Sequence, residues 1–570
     1  MSHRRFLALA LLIIVFGGAL RMLWLRADPP TTSVGIVWHD EGAWTHNARN
    51  RALWGTWTTD QWNPVYVAPV FTAFEYAAFR TFGVGTWQAR TIPAVSGLIA
   101  IAAIMIGLAA VTDNRRVALA GGVLLAAEYT WVMWNRAALM ESTMTMFMVV
   151  AWAAYALSSK RPVWGFLAGA AVALAWFTKA AAAFFAAAIV LDAVITLIAR
   201  TSAPGSADSG ASRRAALWTL AGGAVVGGAI ALAFVWPHWR DYWFYNVQVS
   251  VERKPTYDLH SFIERASWLA VVQDIFTRAW PLLAAAAIAI ASVCARLRQA
   301  RPAERLLVWW VLIGLLELVV HDAGNPRRYV MFIPAIVALA SIALASGRAW
   351  ISSSESAKAP WRSRLLFAPL ALGLGYLVIG TALQPLLVGD RSAPQPYHVA
   401  VSVSSALAVL GTLCLLIWWQ PIVSWLSRRS VRPRAAAVLI AAVVLWNLGQ
   451  YAGWAATHTD LNYRASVALG RLLPPGTLVQ GTLANGMDFE NQIKPIFIGR
   501  GFGNYDDRFD RDDVRYILTI DLPTLGLESQ KGLIAEILAH YPNQQPVATF
   551  EVEETTGADR AVLIDKRARH

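Results

Sequence analysis

Residues 6–25 read FLALALLIIVFGGALRMLWL, and fourteen residues further on residues 39–44 read HDEGAW. The first stretch has the length and composition of a membrane-spanning helix, about 20 apolar residues, interrupted by Arg21 alone. Arg4 and Arg5 precede it, as they would in a signal peptide. The chain then continues Arg26-Ala27-Asp28-Pro29-Pro30, without a small-residue cleavage pattern, so a retained first helix is expected. Twelve more apolar runs lie near 91–111, 117–133, 142–157, 163–176, 181–198, 216–236, 279–294, 306–320, 329–346, 365–387, 399–419 and 436–456. The expected fold class is therefore an α-helical polytopic membrane protein with about 13 transmembrane helices.

Composition agrees. The 570 residues are 56% hydrophobic and 15% charged, too few charges to cover a soluble surface of that size. The same numbers exclude a disordered chain, and two cysteines inside apolar runs exclude a disulfide scaffold. The net charge of +13 does not point to nucleic acid, because the basic residues are spread over many short loops. With a cytoplasmic N-terminus, the inner segments hold 21 Lys and Arg in 77 residues, and the outer loops hold 14 in 136. That bias is the one expected of a multi-pass membrane protein. It puts the chain after 456 outside. The short inner loops and the lack of a retention signal make the plasma (inner) membrane the expected location.

Two domains are expected. Residues 1–457 form the membrane domain, with long outer loops at 28–90 and 237–278 rich in Trp, Tyr and charge. Residues 458–570 lack a spanning segment. They read as a small extracytoplasmic α/β domain, with a helix over 463–473, short strands near 478–480, 495–498, 514–520, 547–552 and 561–564, and a helix over 532–540. Within the first outer loop, 70–79 has the pattern of an amphipathic interfacial helix.

The chemistry points to the outer face. Asp40 and Glu41 follow the first span at the outer surface. A carboxylate at an apolar boundary loses solvation and gains proton affinity, which suits a general base for a hydroxyl. Spacing alone favours solvated loop acids, or the N-cap of a helix over 42–53. Further charges sit in short outer turns: Arg136 and Glu141, Lys179, and Arg327 with Arg328. Cations collected there against the general bias suit an anionic group such as a lipid phosphate, although each alone also fits snorkelling to headgroups. Glu128, Asp192 and Glu317 lie inside spans, where hydrogen bonds between helices are expected. His residues on the outer side show no metal-type spacing; no metal ligand is assigned, no cofactor is required, and a divalent metal stays open.

In the order of these motifs the chain resembles the type C glycosyltransferases that use polyprenyl-phosphate sugars, the protein O-mannosyltransferases and lipid A aminoarabinose transferases among them. Asp40-Glu41 is similar to that family's acidic pair, followed by Ala48-Arg49 and Gly55. Asn63-Pro64-Val65-Tyr66 resembles its Pro-Pro-Leu-Tyr element, with Asn63 where His or Lys is frequent. Arg90-Thr91-Ile92-Pro93-Ala94, Asn135-Arg136 to Glu141, Phe177-Thr178-Lys179-Ala180 and Pro326-Arg327-Arg328-Tyr329 resemble its later motifs. The resemblance implies Asp40 as catalytic base with Glu41 beside it. It implies donor-phosphate contacts from Lys179, Arg328, Arg253 and Arg327, with Arg136, Glu141, Asn63, Tyr66, Arg90 and Tyr329 in support. It also implies a polyprenyl-phosphate sugar donor, a protein, lipid or glycan acceptor, and membrane lipids as surroundings, with no nucleic acid. The activity expected is sugar transfer on the outer face with inversion. A polytopic transporter or a flippase for lipid-linked sugars is the rival reading; it would show internal symmetry or charges at mid-membrane.

Overall fold

The computed structural model describes residues 1–198, 208–248, 256–271, 274–297, 299–321, 324–347, 361–388, 394–499, 501, 503–520, 528–554 and 557–566. Each of the thirteen apolar runs is helical. Among the described residues, nine helices are long and apolar enough to cross a membrane, and Trp164–Thr178 and Trp280–Ala295 are apolar but shorter. The count of thirteen is thus not reached by length and composition, for a physical reason. The run near 117–133 is split where Glu128 leaves the helix and caps the next one, accepting the Trp131 N–H at 2.5 Å. The helix Pro302–His321 carries Glu304, Arg305 and Glu317.

Small residues let the helices approach closely, as membrane packing favours. A Cβ on Gly169 would stand 1.9 Å from the Thr219 carbonyl oxygen, and one on Gly222 2.0 Å from that of Phe166, so these two helices touch backbone to backbone. Arg21 and Asp192, inside the helical body, are held by hydrogen bonds. Arg21 donates to Asn135 Oδ1 at 2.8 Å and to the Gly17 and Ala126 carbonyls. Asp192 accepts from Arg305 at 2.7 Å and from the Tyr155 hydroxyl at 2.8 Å.

The segment after the first helix turns at Gly35 (φ +73°) and enters a helix over Asp40–Trp54. The acids do not cap it: His39 holds the cap position, with no side-chain capping bond to the helix, and Asp40 and Glu41 are its first two residues. The helix expected near 70–79 runs over Pro69–Phe82, and the next long helix over Thr86–Thr112.

The C-terminal part has the expected α/β character. After the helix Leu461–Leu472 come β1 (Leu478–Gln480), a short helix Thr482–Gly486, β2 (Lys494–Ile496), β3 (Tyr516–Ile520), the helix Glu528–Leu538, β4 (Gln545–Glu554) and β5 (Gly557–Asp565). The sheet order is β2-β1-β3-β5-β4, with β1 parallel to β2 and β3, and the other pairs antiparallel. Its core joins Leu469, Val479, Leu483, Met487, Leu518 and Leu563 to Trp38, which comes from the loop after the first helix.

Candidate active site

Asp40 is placed by a turn in which its own N–H donates to the Val37 carbonyl at 3.3 Å and the Glu41 N–H to that of Trp38 at 3.0 Å. Its Oδ2 accepts from Arg327 Nη2, and its Oδ1 lies 3.8 Å from His39 Nε2. The Asp40 side chain keeps 21% of its surface exposed and that of Arg327 keeps 14%, so the pair is reachable. Arg327 sits in the turn Pro326–Arg328, whose start is fixed by the Asn325 side chain accepting the Arg327 N–H at 3.1 Å. Pro326 packs on Gly35, where a Cβ would stand 3.0 Å from the proline ring.

The other cations are also paired. Arg328 donates to Glu317 at 2.6 Å, and Lys179 to Glu141 at 2.5 Å. Lys179 stands in extended backbone (φ −161°) at the break after the helix Trp164–Thr178, which frees its side chain from the helix surface. Glu141, Ala138, Glu41, Asp40 and Arg327 lie at one end of the helical body: the Ala138 N–H donates to Glu41 at 2.6 Å, three residues before Glu141. Arg327 thus meets Asp40, while Lys179 and Arg328 contact Glu141 and Glu317 rather than the acidic pair itself.

Several expected site residues have different occupations. Glu41 is buried, and both its oxygens are taken by Arg90 at 2.8 and 2.6 Å in the two-pronged geometry that favours guanidinium with carboxylate. Arg90 also holds the Leu25 and Ala27 carbonyls. Glu41 is therefore a strut between three segments and is not open to an acceptor beside Asp40. Arg136 donates to the carbonyls of Leu20, Arg21, Leu23 and Trp24 and lies 4.5 Å over the Trp454 ring. It closes the end of the first helix, and those bonds turn it away from a phosphate. Burial pushes the Arg136 pKa down to about 10. The Asn63 side chain accepts from Asn47 at 3.2 Å, and its backbone N–H donates to the Tyr245 hydroxyl oxygen at 3.0 Å. Tyr66 lies among the rings of Phe234, His238 and Tyr245. Tyr329 is fully buried against Phe276. Arg253 lies outside the described residues.

Sequence reasoning missed three features. Glu75, on the helix Pro69–Phe82, is fully buried with both carboxyl oxygens unbonded among the described residues, and burial next to Glu41 holds it well above the usual carboxylate range. Its place in the expected amphipathic pattern gave the only hint. His46 bonds Asp60 at 2.8 Å, and Trp62 stacks on Phe497 at 4.5 Å between ring centres. No short-range spacing announces either. Among the described residues, no three His, Cys, Asp or Glu side chains gather as they would to hold a metal ion.

Apolar helices carrying a paired set of acids and bases at one end, with a small mixed-sheet domain seated on it, define a polytopic membrane protein with a polar site at that end. Residues 66–205 match the family described as dolichyl-phosphate-mannose-protein mannosyltransferase. That stretch holds Tyr66, Arg90, Arg136, Glu141 and Lys179, and leaves out Asp40, Arg327 and Arg328. Among solved structures, the chain is similar to ArnT from Cupriavidus metallidurans bound to undecaprenyl phosphate, at 17% identity over 99% of this chain and 97% of that one, with a TM-score of 0.54. It is similar to the apo state of the same protein at 18% identity, with the same coverage and a TM-score of 0.52. No curated protein matches in sequence. The chain thus has the fold of the ArnT-type membrane glycosyltransferases.

Proposed function

We propose that this protein is a membrane glycosyltransferase that moves a sugar from a polyprenyl-phosphate donor to an acceptor hydroxyl at the outer face of the inner membrane. The observation that carries this reading is the reachable Asp40 held against Arg327, with Lys179 and Arg328 at the same end of the helical body. The N-terminus is then cytoplasmic and the domain over 458–570 extracytoplasmic.

In the reaction, the acceptor oxygen attacks the anomeric carbon as the bond from that carbon to the phosphate oxygen breaks. Polyprenyl phosphate leaves with the electron pair, and the acceptor proton passes to Asp40. A single displacement inverts the anomeric centre. Proton transfer comes late, because a carboxylate is a weak base until the attacking oxygen has become acidic. Arg327 stands between the two charges that matter. It pairs with Asp40; a phosphodiester competes for the same guanidinium and leaves Asp40 free for the acceptor. Lys179 and Arg328 supply further positive charge where the leaving phosphate develops its own. Each is balanced by a carboxylate here, which holds down the cost of several cations near the membrane. The Glu41–Arg90 strut keeps the Asp40 turn in place.

The charges gathered at one end suit surface chemistry better than passage across the membrane, which sets this reading above a transporter or flippase. The experiment is Asp40→Asn, with sugar transfer from a polyprenyl donor measured in membranes. A general base contributes on the order of 10²–10⁴-fold, so activity within about threefold of the parent removes Asp40 from that role.

A further inference from the structure

The C-terminal domain is in direct contact with the segment that carries Asp40. Its helix Thr482–Gly486 packs against the helix Asp40–Trp54. A Cβ on Gly42 would stand 1.7 Å from the Asn485 carbonyl oxygen. One on Gly486 would stand 2.4 Å from the Trp38 ring and 2.7 Å from His39 Cβ. Glycine on both sides of the seam thus brings the two backbones together, one residue before and two residues after Asp40. Trp38 itself is part of the domain's core.

The contact continues along one face of the helix. Asn485 Nδ2 lies 3.4 Å from His46 Nδ1. One turn on, the fully buried Arg49 donates to the carbonyls of Asp488 at 3.2 Å, Asn491 at 3.0 Å and Ile493 at 3.0 Å, and lies 3.4 Å from the Asp488 carboxylate. Positions 42, 46 and 49 have the three-and-four spacing of one helical face. Asp40, two residues from Gly42, is about 200° around the helix from it and points away toward Arg327. The domain grips one side of the helix, and the carboxylate stands on another.

We propose that the 482–493 segment of the C-terminal domain is the positioning element for Asp40: by holding positions 38, 39, 42, 46 and 49 it sets the rotation and height of the helix that aims the carboxylate. Gly486, the Asn485 backbone and the Arg49–Asp488 pair are its positioning residues. The domain is thereby a working part of the transfer site, beyond any role in receiving acceptors. The proposal rests on the reading of Asp40 as base. Misplacing a catalytic group by about 1 Å costs on the order of 10²-fold. A methyl group at Gly486 has no room without moving Trp38 and His39.

The test compares Gly486→Ala, Arg49→Lys and Gly557→Ala in the full-length protein. Gly557 has a left-handed φ of +113° at the start of β5 with open space around its Cβ position, so alanine there strains the domain without touching the seam. Transfer kinetics, thermal unfolding and binding of a polyprenyl phosphate in detergent are measured for each, with Asp40→Asn in parallel. The expected result is a fall in kcat of about 10- to 100-fold for Gly486→Ala, with donor KM and polyprenyl-phosphate binding within about twofold of the parent. Arg49→Lys shows a smaller loss of the same kind, and Gly557→Ala lowers Tm without lowering kcat. If Gly486→Ala does not fold, Arg49→Lys carries the comparison alone. Unchanged kcat in the folded seam variants overturns the proposal, as does a loss that tracks Tm in all three. An active Asp40→Asn sinks the base reading instead, whatever the seam variants do.

Discussion

Arg327 and Asp40, 287 residues apart in the chain, meet side chain to side chain at one end of the helical body. The turn that carries the arginine is anchored by Asn325 and by Pro326 against Gly35, so the meeting is built from both sides of the contact. The same guanidinium is within reach of any anion that binds beside Asp40. Arg327→Met therefore lowers kcat/KM for a polyprenyl-phosphate donor by at least about tenfold, because the phosphate loses a charge-assisted partner. Arg327→Lys retains more, since the charge stays and only the planar fork is lost. Steady-state kinetics against donor concentration separate the two; equal values for both variants count against a phosphate contact.

Lys179, proposed above as a second source of charge for the phosphate, has a different signature. It stands in extended backbone and donates to Glu141, a pair that a bound phosphate would compete with. Lys179→Met raises the donor KM and leaves the acceptor KM unchanged. Donor dependence equal to that of the parent removes Lys179 from the phosphate site.

Glu41 and Asp40 are neighbours with separate effects. Glu41→Gln breaks a buried two-pronged pair and leaves Arg90 without its counter-charge. Breaking such a pair costs about 3–5 kcal/mol. The expected outcome is a lower thermal midpoint in detergent together with a loss of folded protein. Asp40→Asn instead leaves the midpoint close to the parent and abolishes transfer. Thermal unfolding of the two variants side by side checks this, and a midpoint for Glu41→Gln equal to the parent's overturns the strut role.

Asp488 makes stability depend on pH. Burial pushes its carboxyl up from the ordinary value to about 6, only partly opposed by the charges of Arg49 and His46. The folded state therefore holds this proton more tightly than the unfolded chain does. The group's contribution to stability is full below the unfolded aspartate's titration, near pH 4, and is lost as pH rises to about 6. Asp488→Asn removes that dependence. The difference in thermal midpoint between parent and variant, followed from pH 4 to 7, changes through this window; a constant difference is the contrary result.

The legible part of the site is the set of residue types that are costly where they stand. Lys179, Arg327, Arg328 and Asp40 stand out because charge in a short turn beside an apolar span requires a partner or a ligand. Their individual roles are not legible. Glu41 and Asp40 are adjacent and chemically alike, yet one helical step of about 100° turns Glu41 inward to Arg90 and leaves Asp40 facing Arg327. Arg136 has the same sequence setting as Lys179 but is taken up by the carbonyls that end the first helix.

By itself, the sequence determined the polytopic helical class, the helical nature of its apolar runs, the α/β character of the last hundred or so residues and the likeness to polyprenyl-phosphate sugar transferases. Hydrophobic length, period-two and helical patterning, and the cost of charge near lipid are all local, so they can be read along the chain. Tertiary structure decided which acid is open, which cations stand beside it, and that the C-terminal domain rests on the helix of Asp40. Those facts depend on contacts such as Gly42 with Asn485 and Arg49 with Asp488, made by residues more than four hundred positions apart, and no local pattern encodes which distant surface will be brought against them.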